Sequence, residues 1–176
     1  KRRTFLGAPA AGLAALSSPS AWSQTNLENT IYLDLKDGRV VIRLRPDLAP
    51  NHVKRIKELT RQGFYDGIVF HRVIRGFMAQ TGDPAGTGTG GSGQKLKAEF
   101  SNARHVRGTA SMARAQDPNS ADSQFFICFE DASFLNGQYT VWGEVTEGME
   151  NVDKIKRGEP VQDPDKIVSA KMAADA

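Results

Sequence analysis

The chain has 176 residues, a length expected for one domain with a short extension. Hydrophobic residues make up 39% and charged residues 24%, a composition typical of globular proteins rather than of disordered or fibrous ones. The single cysteine, Cys128, excludes an internal disulfide bond and a multi-cysteine zinc site, and the three histidines are too scattered to predict a metal cluster. No apolar stretch reaches the roughly 18 residues of a transmembrane helix, so we expect no stable membrane association.

The net charge of +3 arises entirely from the start of the chain. Lys1, Arg2 and Arg3 carry three of the 23 basic side chains, and residues 1–23 contain no Asp or Glu. Residues 24–176 therefore hold 20 basic and 20 acidic side chains. Because this part of the chain has no net charge to attract a polyanion, we expect no nucleic-acid partner.

Residues 1–23 have the organisation of an export signal peptide. A cationic start precedes a short apolar stretch rich in alanine and glycine, and small residues precede a cut after Ser23. The pair Arg2-Arg3 before the apolar stretch favours the twin-arginine route, with a Sec signal or a disordered basic terminus as alternatives. We therefore expect a periplasmic protein whose folded domain spans residues 24–176.

The first part of that domain predicts a β-hairpin followed by a helix. Residues 29–35 and 39–44 have strand character, and a turn containing Asp37-Gly38 joins them. A helix is expected to begin at Ala49-Pro50, because proline is tolerated in the first helical turn. Glycine at position 63 ends the helical pattern. The positions with helical spacing that face inward are Val53, Ile56, Leu59 and Thr60.

The remainder predicts short strands separated by turn residues. A second short helix fits Met149 to Ile155. Many short strands in about 150 residues indicate a closed barrel or a sandwich, with two amphipathic helices covering its open ends. The strand candidates are 68–74, 77–81, 96–100, 109–113, 124–129, 140–145 and 166–172.

The run G-T-G-T-G-G at residues 86–91 matches the GxGxxG pattern of dinucleotide-binding loops. That pattern binds a dinucleotide only where a strand enters it and a helix leaves it. The residues after Gly93 are strand-like, so we interpret the run as a flexible or tightly turning surface loop. A nucleotide-dependent enzyme is the competing hypothesis, and it predicts a helix after Gly93.

Two segments combine large apolar side chains with a few polar ones. Residues 70–83 read F-H-R-V-I-R-G-F-M-A-Q-T-G-D, and residues 111–145 contain S-M-A-R-A, S-Q-F-F-I and F-L-N-G-Q-Y-T-V-W-G-E-V. In this order and at these separations, the motifs resemble those of cyclophilin-type peptidyl-prolyl cis-trans isomerases of the compact bacterial kind, over about residues 30–172. The resemblance implies a mainly β fold, a closed eight-stranded antiparallel β-barrel capped by two α-helices.

The resemblance also implies which residues form the site. The family's catalytic arginine matches Arg72, and its substrate-orienting glutamine matches Gln80. No metal or other cofactor is implied. The pocket for the proline ring matches Phe77, Met78, Phe125, Leu135 and Tyr139. The other substrate-binding positions match the backbone-pairing segment Ala113, Arg114 and Ala115, the polar position Gln124 and the rim aromatic Phe134.

This residue set suits a reaction in which no bond breaks. An X-Pro amide resists rotation by about 18–20 kcal/mol, because its nitrogen shares a lone pair with the carbonyl group. In the twisted transition state the nitrogen regains that lone pair, and a permanently charged guanidinium can donate to it. The expected partners are unfolded or flexible proline-containing polypeptides, bound by a monomer that assists the folding of exported proteins. The alternative is a proline-peptide-binding chaperone whose turnover is incidental.

Overall fold

The computed structural model describes residues 26–176, and the predicted export signal lies outside them. None of the helices in this part of the chain combines the length and the apolar character needed to cross a bilayer. Residues 26–28 are helical, and after them the chain forms two α-helices, α1 (Pro50–Arg61) and α2 (Met149–Asp153), and two 3-10 helices, Ser133–Leu135 and Ala173–Asp175. The strands are β1 (Thr30–Leu35), β2 (Gly38–Leu44), β3 (Arg72–Ile74), β4 (Met78–Thr81), β5 (Thr109–Met112), β6 (Phe125–Cys128), β7 (Val141–Glu147) and β8 (Ser169–Met172).

The eight strands form one antiparallel sheet whose two edges do not pair with each other. The strand order is β3-β4-β6-β5-β7-β2-β1-β8, so the expectation of a closed barrel is wrong: the structure is a curled, open half-barrel. Residues 158–167 lie between the edges, and their backbone forms hydrogen bonds with that of residues 67–73. For instance, Gly158 and Val73 each donate their N–H to the other's carbonyl, with both N–O distances 2.8 Å. Pro160 and Pro164 lack the N–H that a continuous strand would need in this gap.

The predicted hairpin and first helix are confirmed. β1 and β2 pair from Thr30↔Arg43 to Leu35↔Gly38, which leaves a two-residue turn. Helix α1 begins at Pro50 and buries the four predicted apolar-face positions together with His52. The second helix, α2, is shorter than predicted: it ends at Asp153, whereas the sequence predicts a helix as far as Ile155.

The segment 96–100 is irregular rather than a strand. Only Leu96 makes an isolated bridge, to Ala121. Glu99 instead caps α1: its carboxylate accepts the backbone N–H of His52 at 2.8 Å and contacts the His52 Nδ1 at 2.6 Å. A carboxylate is favourable at a helix N-terminus, where backbone N–H groups lack partners inside the helix.

The strands bury different side chains on their two faces. The inner face and α1 enclose the main hydrophobic core, which includes Val73 from one edge strand and Met172 from the other. A second, smaller cluster lies on the outer face of β4 and β6 and consists of Met78, Phe126, Cys128, Ala132 and Leu135. In this cluster, burial raises the pKa of the Cys128 thiol to about 12, so the thiol stays protonated.

The glycine-rich run wraps around two carboxylates. Asp83 is fully buried, and it accepts backbone N–H groups from four residues of the loop, the shortest being Gly88 at 2.6 Å. A Cβ at Gly90 would overlap this carboxylate, and one at Gly91 would lie 2.6 Å from that of Asp122. Residues 94–108, directly after the loop, contain no helix, so the loop lacks the context that a dinucleotide site requires.

We predict that Asp83→Asn destabilises the fold by about 2 kcal/mol at pH 7. Burial opposes ionisation of Asp83, but the backbone donors outweigh it and lower its pKa to about 2. The unfolded chain therefore binds the proton more readily, and wild-type stability should fall as the pH drops from about 4 to 2. Urea unfolding at pH 7 and between pH 4 and 2 measures both effects. The exposed turn variant Asp37→Asn is the control, and equal stability curves for the two variants would contradict the prediction.

Candidate functional site

A row of cross-strand partners runs over four adjacent strands. Arg72 on β3 pairs with Gln80 on β4, Gln80 pairs with Phe126 on β6, and Phe126 pairs with Ser111 on β5. Directly paired residues of an antiparallel sheet project from the same face. The row therefore brings a cation, an amide and an aromatic ring together on the outer face of the sheet.

Two side chains hold the guanidinium of Arg72. Its Nη1 donates to the Oε1 of Gln80 at 3.2 Å, and its Nε donates to the Oε1 of Glu159 at 2.9 Å. Within residues 26–176, Nη2 makes no hydrogen bond to protein. The guanidinium is therefore anchored on two nitrogens and has a third nitrogen available as a donor.

Beside the guanidinium lies an apolar cavity of about 140 Å³. Met78, Phe126 and Leu135 of the outer-face cluster supply part of its wall, and the rest comes from residues on or next to β3 and β4, after β5 and before β7. Phe134 is exposed at the rim and contacts Phe77, with the two ring centroids 5.4 Å apart. Eight of the predicted site residues line the cavity: Arg72, Phe77, Met78, Gln80, Ala113, Arg114, Leu135 and Tyr139.

The position of Phe125 differs from the prediction. Its side chain lies in the main core, with its ring centroid 5.3 Å from those of Tyr65 and Trp142. Phe126 lines the cavity instead and meets the Tyr139 ring at 6.0 Å in an edge-to-face arrangement. Successive side chains of a strand point to opposite faces, so only one of the two adjacent phenylalanines can face the cavity.

The other two predicted residues, Ala115 and Gln124, line a neighbouring cavity of about 320 Å³. This second cavity shares Gln80, Ala113 and Arg114 with the first, and the glycine-rich loop forms one of its sides. Gln124 joins the two parts: it accepts from Gln80 Nε2 at 3.0 Å and donates to the carbonyl of Gly90 at 2.9 Å. A chain of amides therefore extends from the guanidinium to the loop.

The segment between the two cavities has free backbone groups. The N–H of Ala113 donates to the carbonyl of Gln124 at 3.0 Å. Among the described residues, neither the Ala113 carbonyl nor the Arg114 N–H has a partner. The Arg114 side chain folds back, donates to the carbonyl of Gln138 and lies 4.6 Å from the Tyr139 ring centroid. An extended peptide could therefore pair with this backbone as an added strand.

The cavity wall rests on a buried histidine. His105 has no exposed surface, and its ring stacks on Phe126 with the centroids 6.1 Å apart. Its ring nitrogens contact Asn136 Oδ1 at 3.1 Å and Ser111 Oγ at 2.9 Å. Burial lowers the pKa of His105, so its ring is neutral at physiological pH. His105 and the Arg72 partner Glu159 both lie outside the sequence motifs of the site, and Glu159 is 87 residues from Arg72 along the chain.

The arrangement holds a cationic donor beside a small pocket with aromatic and aliphatic walls and beside an unpaired stretch of backbone. In residues 26–176 no three His, Cys, Asp or Glu side chains are placed to hold a metal ion. The pocket suits a small apolar ring, the free backbone suits an extended peptide, and the donor suits a lone pair or a carbonyl oxygen.

Comparisons with known proteins agree with this geometry. Residues 30–172 match the family described as cyclophilin type peptidyl-prolyl cis-trans isomerase/CLD. A "Probable peptidyl-prolyl cis-trans isomerase" of Brucella suis is 52% identical over 190 residues, covering 98% of this chain and 97% of the relative. The peptidyl-prolyl cis-trans isomerase of Helicobacter pylori is 42% identical over 145 residues, covering 79% of this chain and 88% of its own.

Solved structures show the same fold. Cyclophilin AquaCyp293 from Hirschia baltica has a TM-score of 0.79 at 29% identity, with 90% of this chain and 82% of that chain covered. A cyclophilin-type isomerase of Cryptosporidium parvum, crystallised in the presence of the dipeptide Ala-Pro, has a TM-score of 0.75 at 28% identity, with 81% and 98% covered. The chain therefore belongs to the cyclophilin-type peptidyl-prolyl cis-trans isomerases, enzymes that accelerate rotation about X-Pro peptide bonds.

Proposed function

We propose that Arg72 is the catalytic residue and that its Nη2 donates to the prolyl nitrogen of the twisted X-Pro bond. The observation that carries this proposal is the guanidinium at the edge of the apolar cavity, with one nitrogen free of protein partners. The planar ground state offers little lone-pair density to this donor, whereas the twisted transition state offers a full lone pair. A donor that binds the transition state more strongly than the ground state lowers the barrier.

The apolar cavity holds the proline ring while the other side of the amide turns. Phe126, Met78 and Leu135 supply wall atoms without hydrogen-bonding groups, and Tyr139 adds an aromatic wall. A bound proline ring displaces water from the cavity, and the hydrogen bond from Arg72 is then less screened by solvent dipoles. Gln80 keeps the guanidinium in place and is itself held by Gln124.

The free backbone at Ala113 and Arg114 binds the substrate chain. Backbone pairing gives affinity for an extended peptide and depends little on its side chains. This suits a broad range of clients, namely unfolded or flexible proline-containing polypeptides. The Cryptosporidium parvum relative was crystallised in the presence of the dipeptide Ala-Pro, which supports an X-Pro ligand for this chain as well.

The cellular role that we propose is assistance to the folding of exported proteins in the periplasm. It rests on the signal-peptide organisation of residues 1–23 and on the isomerase family to which residues 30–172 belong. The alternative role is a chaperone that holds proline-containing peptides, with turnover incidental. Both roles use the same pocket and backbone, but only the first requires Arg72.

We predict that Arg72→Ala lowers kcat/KM about 100-fold, the usual loss when one preorganised transition-state donor is removed. Peptide affinity should change little, because the pocket and the free backbone remain. Line-broadening exchange by NMR on a short Ala-Pro peptide, with catalytic amounts of residues 24–176, measures both. Full activity in the variant would refute the role of Arg72. Cells that carry the variant and still fold exported clients normally would favour the chaperone alternative.

We predict opposite outcomes for the adjacent variants Phe125→Ala and Phe126→Ala. The first removes a ring from the main core and should destabilise the fold by about 3–5 kcal/mol. The second removes a cavity wall and should lower kcat/KM at least about tenfold with a smaller loss of stability. Urea unfolding and the exchange measurement on the two proteins separate these effects. The assignment of the two faces would be contradicted if Phe125→Ala lowered kcat/KM more than Phe126→Ala did while costing less free energy of unfolding.

We predict that residues 1–23 export a folded reporter that cannot pass the Sec channel. The twin-arginine route moves proteins that have already folded, so the paired arginines should be required. Fluorescence of the reporter in the periplasmic fraction measures export, and replacement of Arg2 and Arg3 by lysine is the matched control. Failure of the unaltered fusion to reach the periplasm would exclude this route.

A further inference from the structure

We propose that Glu159 is a positioning residue for the isomerisation and acts by orienting the guanidinium of Arg72. This inference rests on the proposed role of Arg72. Glu159 lies 87 residues from Arg72 along the chain and belongs to none of the sequence motifs of the site. Its carboxylate nevertheless accepts the Nε–H of Arg72 at 2.9 Å.

The backbone on both sides of Glu159 is fixed to the strand that carries Arg72. Gly158 and Val73 exchange two hydrogen bonds at 2.8 Å, and the N–H of Val161 donates to the carbonyl of His71 at 3.0 Å. A Cβ at position 158 would lie 2.8 Å from the carbonyl oxygen of Pro160, so glycine allows the tight path there. The carboxylate is thus delivered to Arg72 by ordered backbone rather than by a free loop.

The geometry of the guanidinium explains why a second anchor matters. Gln80 holds Nη1, and a single hydrogen bond leaves the planar group free to swing about that contact. Glu159 holds Nε, and two contacts at different nitrogens fix the plane. Nη2 is then presented in one orientation. A donor that is already oriented loses less conformational freedom when the transition state forms.

Other carboxylates close to the site are committed elsewhere. Asp83 accepts backbone N–H groups of the glycine-rich loop, and Asp122 accepts those of Ser92 and Gly93. Within residues 26–176 Glu159 is the one carboxylate in ion-pair contact with Arg72. Its side chain is 59% exposed, so its truncation leaves no cavity and should not unfold the protein.

We expect Glu159→Ala to lower kcat about fivefold and to leave peptide affinity within about twofold. The factor of five corresponds to about 1 kcal/mol, the upper end for an exposed ion pair. The effect falls on kcat because the planar ground state hardly uses the donor. Glu159→Gln keeps an acceptor oxygen without the charge and should lie between wild type and Glu159→Ala. The exposed Glu147, at the end of β7, gives the matched control Glu147→Ala, with unchanged kcat.

The measurement is saturating-peptide exchange NMR on residues 24–176, with the Nε–H resonance of Arg72 as a second readout. This resonance is assigned by its loss in Arg72→Ala. It should exchange with water faster in Glu159→Ala than in wild type and should not respond to Glu147→Ala. A purely structural role for Glu159 would lower the melting temperature without moving this resonance.

The double variant Arg72→Ala/Glu159→Ala provides the decisive comparison. If Glu159 acts through Arg72, the double variant is as slow as Arg72→Ala alone. A further fivefold loss in the double variant, or equal kcat for Glu159→Ala and Glu147→Ala, would overturn the inference. If instead Arg72→Ala itself retains activity, it is the proposed role of Arg72 that fails.

Discussion

Side chains alternate between the two faces of a β-strand, and this constraint underlies both the core and the site of the protein. On β6, Phe125 and Ile127 enter the main core, whereas Phe126 and Cys128 belong to the outer cluster. The strands that stabilise the fold are therefore the same strands that present the pocket. The position of the site is consequently as fixed as the core beneath it, and a one-residue shift in register would destroy both.

The electrostatics of the outer face follow from how its charged groups are paired. The carboxylate of Asp83 satisfies a loop that would otherwise leave backbone N–H groups without partners, and it therefore does not neutralise Arg72. Arg72 keeps its contacts to one amide and one exposed carboxylate, and one nitrogen remains for a ligand. A cationic donor that is anchored but not fully paired suits the role proposed for Arg72, because one N–H group remains available to the prolyl nitrogen.

Sequence patterns predicted the local elements well and the long-range contacts poorly. The hairpin and α1 have strong local signals, namely β-branched runs, an Asp-Gly turn and proline in the first helical turn. The segment 96–100 has strand-like residues but serves as a cap, because Glu99 meets the start of a helix nearly fifty residues away. The gap between the sheet edges depends on where Pro160 and Pro164 fall relative to β3, which local propensity does not encode.

The sequence by itself determined the class of the protein: its motifs define the family, and within the site they identify Arg72, Gln80 and most of the pocket wall. Only the tertiary structure decided that Phe126 and not Phe125 faces the cavity, because the register of β6 determines which side chains lie on the outer face of the sheet. It alone brought Glu159 to the guanidinium and His105 beneath the pocket. Glu159 lies 87 residues along the chain from Arg72, and that distance is closed only when the sheet curls around its core.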